Sequence, residues 1–249
     1  LGQRETQEDA FRIILQSEQD PKADILLLLA DGMGGHQSGE VASAMAIKSM
    51  VQYYRESMDA SGDETSINGE EVDVIRRRLV QAIQAANSAV FEAASENEIY
   101  HGMGTTIVSG YFTGNGVYLA HIGDSRAYRL RDGEFEQQTR DHSLANEYVR
   151  MGILSDEDLE FFPYKNVITR ACGLSEQVEV ACSYQAVEPG DIYLLCTDGL
   201  TDMVANDEVQ SILKSGEPVD EICQTLVSRA NENGGEDNVT VVVAQVDEV

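Results

Sequence analysis

A chain of 249 residues with 42% hydrophobic side chains carries enough apolar content for a sizeable core and does not have the composition of a disordered protein. Its 44 acidic residues against 17 lysines and arginines give a formal charge of -27, which excludes a generic nucleic-acid binder and argues equally against an anionic membrane surface as partner. Most of that charge reads as solvated surface, and part of it as acid neutralised by bound cations.

The first strand is expected at about Ala10 to Gln16, after a polar segment that holds Arg4, Glu8 and Asp9. The strongest strand signal follows, Asp24 to Ala30 (DILLLLA), a short apolar run that reads as buried on both faces. It ends in Asp31 and the Gly-rich corner Gly32-Met33-Gly34-Gly35-His36. A long amphipathic helix is expected over Ser38 to Met58, with Val41, Ala44, Met45, Lys48 and Val51 at helical spacing. After the polar loop Asp59 to Gly69 comes a second long helix, Glu70 to Asn97, with Val74, Leu79, Ile83, Ala86 and Val90 on one face. Arg76, Arg77 and Arg78 point in different directions on such a helix and read as solvated.

From Gly102 the period changes to two. Thr105 to Phe112 and Val117 to Ile122 around Gly114-Asn115-Gly116 read as one hairpin, Arg126 to Arg131 and Glu134 to Gln138 around Asp132-Gly133 as another. Short helices are expected at Ser143 to Gly152 and Ser155 to Phe161, strands at Val178 to Ala186, Asp191 to Thr197 and Val239 to Val246, and helices at Asp207 to Lys214 and Val219 to Asn231. Antiparallel strand blocks with paired helices give an α+β domain, sheets packed together and helices outside, with no linker that splits residues 1–249.

Cys172, Cys182, Cys196 and Cys223 form no C-x-x-C pair and have no His at zinc-ligand spacing, so they read as reduced core thiols of a cytoplasmic protein. No signal peptide or membrane-spanning run is visible, and the start at Leu1 without Met reads as a domain excised from a longer protein.

Acids recur at strand ends: Glu8-Asp9, Asp31, Asp124, Asp198 with Asp202, and Asp237. Any one alone reads as a turn-forming residue, and Glu8 with Arg4 as a surface ion pair. Together they point elsewhere, because carboxylates crowded at one end of a core repel one another unless a cation joins them. Oxygen-only ligation suits Mg²⁺ or Mn²⁺, and the spacing fits no EF-hand loop. No Walker A, HExxH, GxSxG or complete GxGxxG is present, and Ser125 with Asp141 and His142 has no triad spacing to recommend it. Two hard cations with a nearby Arg suit metal-dependent hydrolysis of a phosphate ester.

At Arg4 to Asp9, DGMGGH (31–36), MGTT (103–106), GDSR (123–126), TRDHS (139–143), ITRACG (168–173), CTDGLTD (196–202) and DNVT (237–240), the chain resembles the metal-dependent serine/threonine protein phosphatases of the PP2C (PPM) type in their bacterial form. The resemblance implies a central antiparallel β-sandwich flanked by pairs of helices, four layers α-β-β-α. It implies that Asp31 bridges two metals, Mn²⁺ or Mg²⁺. Asp198 and Asp237 complete the first site; the Gly32 carbonyl and Glu8 serve the second, with Asp9 bound through water. A third, weaker ion takes Asp124, Asp198 and Asp202. Arg4 matches the arginine that holds the substrate phosphate, and a metal-bridging water or hydroxide attacks phosphorus directly. His36 reads either as the general acid or as simple corner packing, since Met33 stands where eukaryotic members place a His. Gln7 and Cys172 also depart from the usual Asn and Leu, and neither is a ligand. Residues 143–167 correspond to the family's mobile flap. The implied substrates are phosphoserine and phosphothreonine proteins, products of bacterial Ser/Thr kinases, and a monomer is the family-level expectation. The alternatives are a pseudophosphatase acting as a binding or regulatory module, which missing metal acids would favour and which all of them being present disfavours; a phosphatase dedicated to one partner-switching phosphoprotein; and, less favoured, a small-molecule phosphatase.

Overall fold

The computed structural model describes residues 1–15, 24–34, 38–59, 71–114 and 116–248. Strand β1 (Asp9–Leu15) pairs antiparallel with β2 (Ile25–Met33), and the helices α1 (Ser38–Asp59) and α2 (Glu71–Glu96) follow. The chain then forms β3 (Gly104–Thr105), β4 (Ile107–Thr113), β5 (Gly116–Ile122), β6 (Arg126–Arg131) and β7 (Glu134–Gln137). Helix α3 (Leu144–Arg150) is followed by β8 (Ala181–Ala186), β9 (Ile192–Cys196), the single turn α4 (Asp198–Thr201), α5 (Asn206–Leu213), α6 (Val219–Glu232) and β10 (Val241–Gln245).

Two antiparallel sheets result, one in the order β1-β2-β4-β5-β8 with β3 added to the end of β2, the other β10-β9-β6-β7. The apolar run of β2 explains the layering. Leu26, Leu28 and Ala30 pack against α1 and α2, while Leu27 and Leu29 point the other way into a core between the sheets with Val108, Leu119, Leu195 and Val242. Alternation along a strand sends successive side chains to opposite faces, so a strand covered on both sides must be apolar throughout. In β9, Leu194 and Cys196 face α5 and α6, and Tyr193 and Leu195 face the first sheet. The α-β-β-α expectation is met.

Several expectations are corrected. β2 does not end at Ala30 but runs on through Asp31 and Gly32, because β1 and β3 pair with those residues. The strand expected over Thr105 to Phe112 breaks at Thr106, whose hydroxyl and amide turn to the Asp31 backbone. On α1 the buried stripe is Ala42, Ala46, Ile47 and Met50; Ala44 and Lys48 face solvent. Small alanines let α1 lie close to α2 and the sheet, and their modest hydrophobicity hides that face in a pattern reading. Residues 178–180 lie outside β8, and Asp156–Phe161 is a 3-10 helix rather than an α-helix. The Asp132-Gly133 hairpin is as expected, with φ of 50° and 83° at its two central residues. All four cysteines are free thiols, and among the described residues no helix is long and apolar enough to cross a membrane.

Candidate metal centre

The N-terminal segment is held against the loop before β10. The Gln3 amide donates to the Gly235 carbonyl (2.7 Å), and the Asn238 side chain donates to the Leu1 and Thr6 carbonyls (3.2 and 3.1 Å) while accepting from the Glu8 amide (2.7 Å). One asparagine thereby seats Glu8 and Asp9 beside Asp237. Asp9 stands directly opposite Asp31 in the β1–β2 register. Asp31 is clamped through its backbone: its amide donates to Thr106 Oγ1 (3.0 Å), and its carbonyl accepts from the Thr106 amide and Thr105 Oγ1 (both 2.8 Å). Asp124 follows Gly123, whose φ of 103° leads from β5 into β6. Asp198 opens α4, and one turn on the Asp202 amide donates to the Asp198 carbonyl (2.8 Å).

These acids feel one another. Burial, and then the charges of Asp198, Asp9, Asp124 and Asp237, hold the Asp31 carboxyl well above its ordinary range. Burial and the charges of Asp198 and Asp141 push Asp124 up to about 7. Asp198 is raised by burial and by Asp202 and Asp237, against hydrogen bonds from the Asp31 carboxyl and the Gly199 amide. Burial lifts Asp9 to about 6 although Thr240 Oγ1 (2.7 Å) and Thr197 Oγ1 (3.1 Å) both donate to its Oδ2. Glu8 is raised by burial, with Arg4 opposing and Asp237 and Glu40 adding. Carboxylates that raise one another in this way favour a cation among them.

Two oxygens, Asp9 Oδ1 and Asp198 Oδ1, are buried with no hydrogen-bond partner. A carboxylate oxygen in that state is costly unless a cation completes it. The Gly32 carbonyl and Glu8 Oε2 also converge: both lie within 3 Å of the position a Cβ on Gly39 would take, 2.8 and 2.9 Å away. No side chain larger than hydrogen fits there, so Gly39 keeps open the approach of strand end and helix start. The donors are all hard oxygens, which fits divalent Mg²⁺ or Mn²⁺. Among the described residues no group of three or more His, Cys, Asp or Glu side chains stands in the arrangement of a closed metal site, although the acids are near enough to raise one another.

Asp9, Asp31, Asp124, Asp198 and Asp237 are therefore brought together, with Glu8 beside Asp237 and Asp202 beside Asp198. Arg4 joins them through Asp237, its Nη2 2.7 Å from Asp237 Oδ2 and its Nε donating to the Glu236 carbonyl (3.2 Å). His36 lies outside the described residues. Ser125, His142 and Asp141 do not form a triad: Ser125 Oγ pairs with Thr106 Oγ1 (2.7 Å), His142 Nδ1 accepts from the Gly123 amide (3.1 Å), and Asp141 takes a bidentate pair from Arg126. Thr197, Thr240, Thr106 and Asn238 were not singled out from the sequence as supports. Their only signal is position, each close in sequence to an acid or facing one across a strand.

The profile of the family described as protein phosphatase 2C matches residues 2–242. The serine/threonine phosphatase stp of Listeria monocytogenes is 37% identical over 222 residues, 89% of this chain and 84% of its own length. Protein phosphatase PhpP of Streptococcus pneumoniae is 35% identical over 223 residues, 90% of this chain and 86% of its own. Among solved structures, the serine/threonine phosphatase PstP/Ppp of Mycobacterium tuberculosis superposes with a TM-score of 0.81 at 36% identity, covering 98% of this chain and 94% of that one. A PstP catalytic domain in complex with two manganese ions gives 0.78 at 36% identity with the same coverage. The fold and these matches define a metal-dependent protein phosphatase. The chain belongs to the protein phosphatase 2C family, in its bacterial form.

Proposed function

We propose that this chain hydrolyses phosphoserine and phosphothreonine esters in proteins, using divalent cations held by Asp31, Asp198, Asp237, Glu8, the Gly32 carbonyl and, through water, Asp9. One observation supports this above the others: acids from distant parts of the chain crowd into one site, and two of their buried oxygens have no partner. Bound there, the cations would supply an activated water and neutralise charge on the phosphoryl oxygens.

The chain's own groups carry the rest of the reading. Asp31 faces both halves of the cluster from a backbone fixed on two sides by Thr105 and Thr106. Thr197 and Thr240 orient Asp9. Arg4 is half exposed at the rim, where its guanidinium can move from Asp237 to a substrate phosphate as a planar fork. His36 is the candidate proton donor to the leaving oxygen, on its sequence position alone. Asp124, Asp198 and Asp202 are the proposed ligands of a third ion. Substrates phosphorylated by bacterial Ser/Thr kinases, and action as a monomer, belong to this reading, as does a preference set by residues 143–167.

The test is phosphate release from a phosphothreonine peptide with Mn²⁺, with Mg²⁺ and with chelator, for wild type and Asp198→Ala. Release that needs the metal and falls at least a hundredfold in the variant is expected. Folded wild-type protein that releases nothing with either metal refutes it.

A further inference from the structure

Resting on the phosphatase reading, we propose that an open groove beside the acid cluster receives the stretch of a phosphoprotein substrate flanking its phosphorylated residue, and selects an apolar side chain about three or four residues away. The groove, of about 540 Å³, runs between the edge strands of the two sheets: β1 on one side, the free edge of β10 along it, and α6 on the other.

Its inner end is formed by residues next to the proposed ligands. Gln7 precedes Glu8, Thr240 Oγ1 holds Asp9, and Asn231 packs at the Gly235 turn before Asp237. Its outer end is Phe11 with Cys223 and Val227 of α6. From Asn231 back to Cys223 the helix rises about 12 Å, which an extended chain covers in about three or four residues.

Three observations favour an apolar, extended occupant. Among the described residues no charged side chain lines the groove in a chain of net charge -27, so its floor is set apart from the rest of the acidic surface. Phe11 and Ile13 pair in register with Leu29 and Leu27, which are buried between the sheets; they share that inward face, yet they stand 59% and 47% exposed because the second sheet ends short of β1. An apolar inward face left uncovered is what a short added strand would cover. β1 and β10 are both edge strands, so main-chain bonding to a guest is available next to the side-chain contacts.

The experiment compares phosphothreonine peptides identical except for Leu or Ala three and four residues from the phosphothreonine, on either side. A kcat/KM about tenfold higher for Leu in one register is expected. Phe11→Ser and Val227→Asn should each erase that gap while leaving hydrolysis of a small aryl phosphate unchanged. No gap in any register, or a gap that survives both substitutions, overturns the proposal. Fluorescence anisotropy of the same peptides in chelator needs no turnover and should rank them alike. If the ranking appears but no substrate is ever hydrolysed, the phosphatase reading fails and the groove stands. If hydrolysis is normal and neither measurement ranks the peptides, the groove fails alone. A dimer in sedimentation that Phe11→Ser dissociates also overturns it, in favour of a second copy.

Discussion

Asp9 depends on two hydroxyls for its orientation, one from Thr197 and one from Thr240. Thr240→Val removes the shorter bond and leaves Asp9 with a still higher proton affinity, so the Mn²⁺ concentration for half-maximal activity should rise about tenfold or more. Thr240→Ser should restore it, which a loss of packing alone would not predict. Gly199 lies against the Asn238 carbonyl so closely that a Cβ has no place. Gly199→Ala should therefore lower stability by about 2 kcal/mol in chemical denaturation and displace Asp198 and Asn238 together. The acids were legible in the sequence because carboxylates at the ends of apolar runs are an anomaly a pattern can register. The supporting threonines and Asn238 were not, because those residue types serve turns and strand ends everywhere. Arg4 was legible as a member of the site, but its pairing with Asp237 depends on how the two chain ends meet.

Among the elements, β6 is tied to the turn before β9 by Arg131, which holds buried Asp191 with two bonds of 2.7 and 2.6 Å and also reaches Glu188. Burial alone would raise the Asp191 carboxyl; the Arg131 bonds, the Glu188 amide and nearby positive charge outweigh it and lower it. A lowered carboxyl contributes stability above the ordinary carboxylate range and loses it as pH falls through the lowered value, so this contribution should fade only below about pH 4. Asp191→Ala removes two charge-assisted bonds but leaves Arg131 its bonds to Glu188 and the Ala186 carbonyl, and should cost about 2 kcal/mol at pH 7. A second link joins β5 to the segment before α3: His121 and His142 stack at 4.8 Å, His121 Nε2 donating to the Arg140 carbonyl (2.9 Å) and His142 Nδ1 accepting from the Gly123 amide. Burial, His121 and Arg170 lower His142 to about 4, and burial lowers His121. Folded His142 stays neutral down to about pH 4 while the unfolded chain takes up protons below pH 6.5, and the lowered His121 acts in the same direction. His142 should thus contribute a loss of stability between pH 6.5 and 4 of at most about 1.4 kcal/mol per pH unit, set against the opposite contribution of the raised Asp9 and Asp124. Thermal unfolding of wild type and His142→Gln across that range checks it: the wild type should lose stability relative to the variant as pH falls. The long helices and both hairpins could be read from periodicity and turn residues. The extension of β2 and the break at Thr106 could not, because partners distant in sequence impose them.

At the scale of the whole molecule, the acid excess falls partly on one centre, and that has a thermodynamic signature. A cation that binds only the folded chain stabilises it by about 2.7 kcal/mol at one hundred times its Kd. Mn²⁺ should raise the thermal midpoint in a concentration-dependent way, chelator should reverse it, and Asp198→Ala should abolish most of the shift. The layered architecture was readable because a strand such as β2, apolar at every position from Ile25 to Ala30, has only one place to go, between two covers. The inner arrangement of the sheet edges was not, since nothing local in Phe11 or Ile13 tells that the opposing sheet stops short. The centre also has a mechanical meaning. Asp9 and Asp31 belong to one sheet, whereas Asp198 and Asp237 lie at strand ends of the other. Any ion gripped by both sets is a rivet through the sandwich, and its removal frees the sheets to shear. Amide exchange in β1 and β10, the strands at the unriveted rim, would report that slackening before any helix loosened.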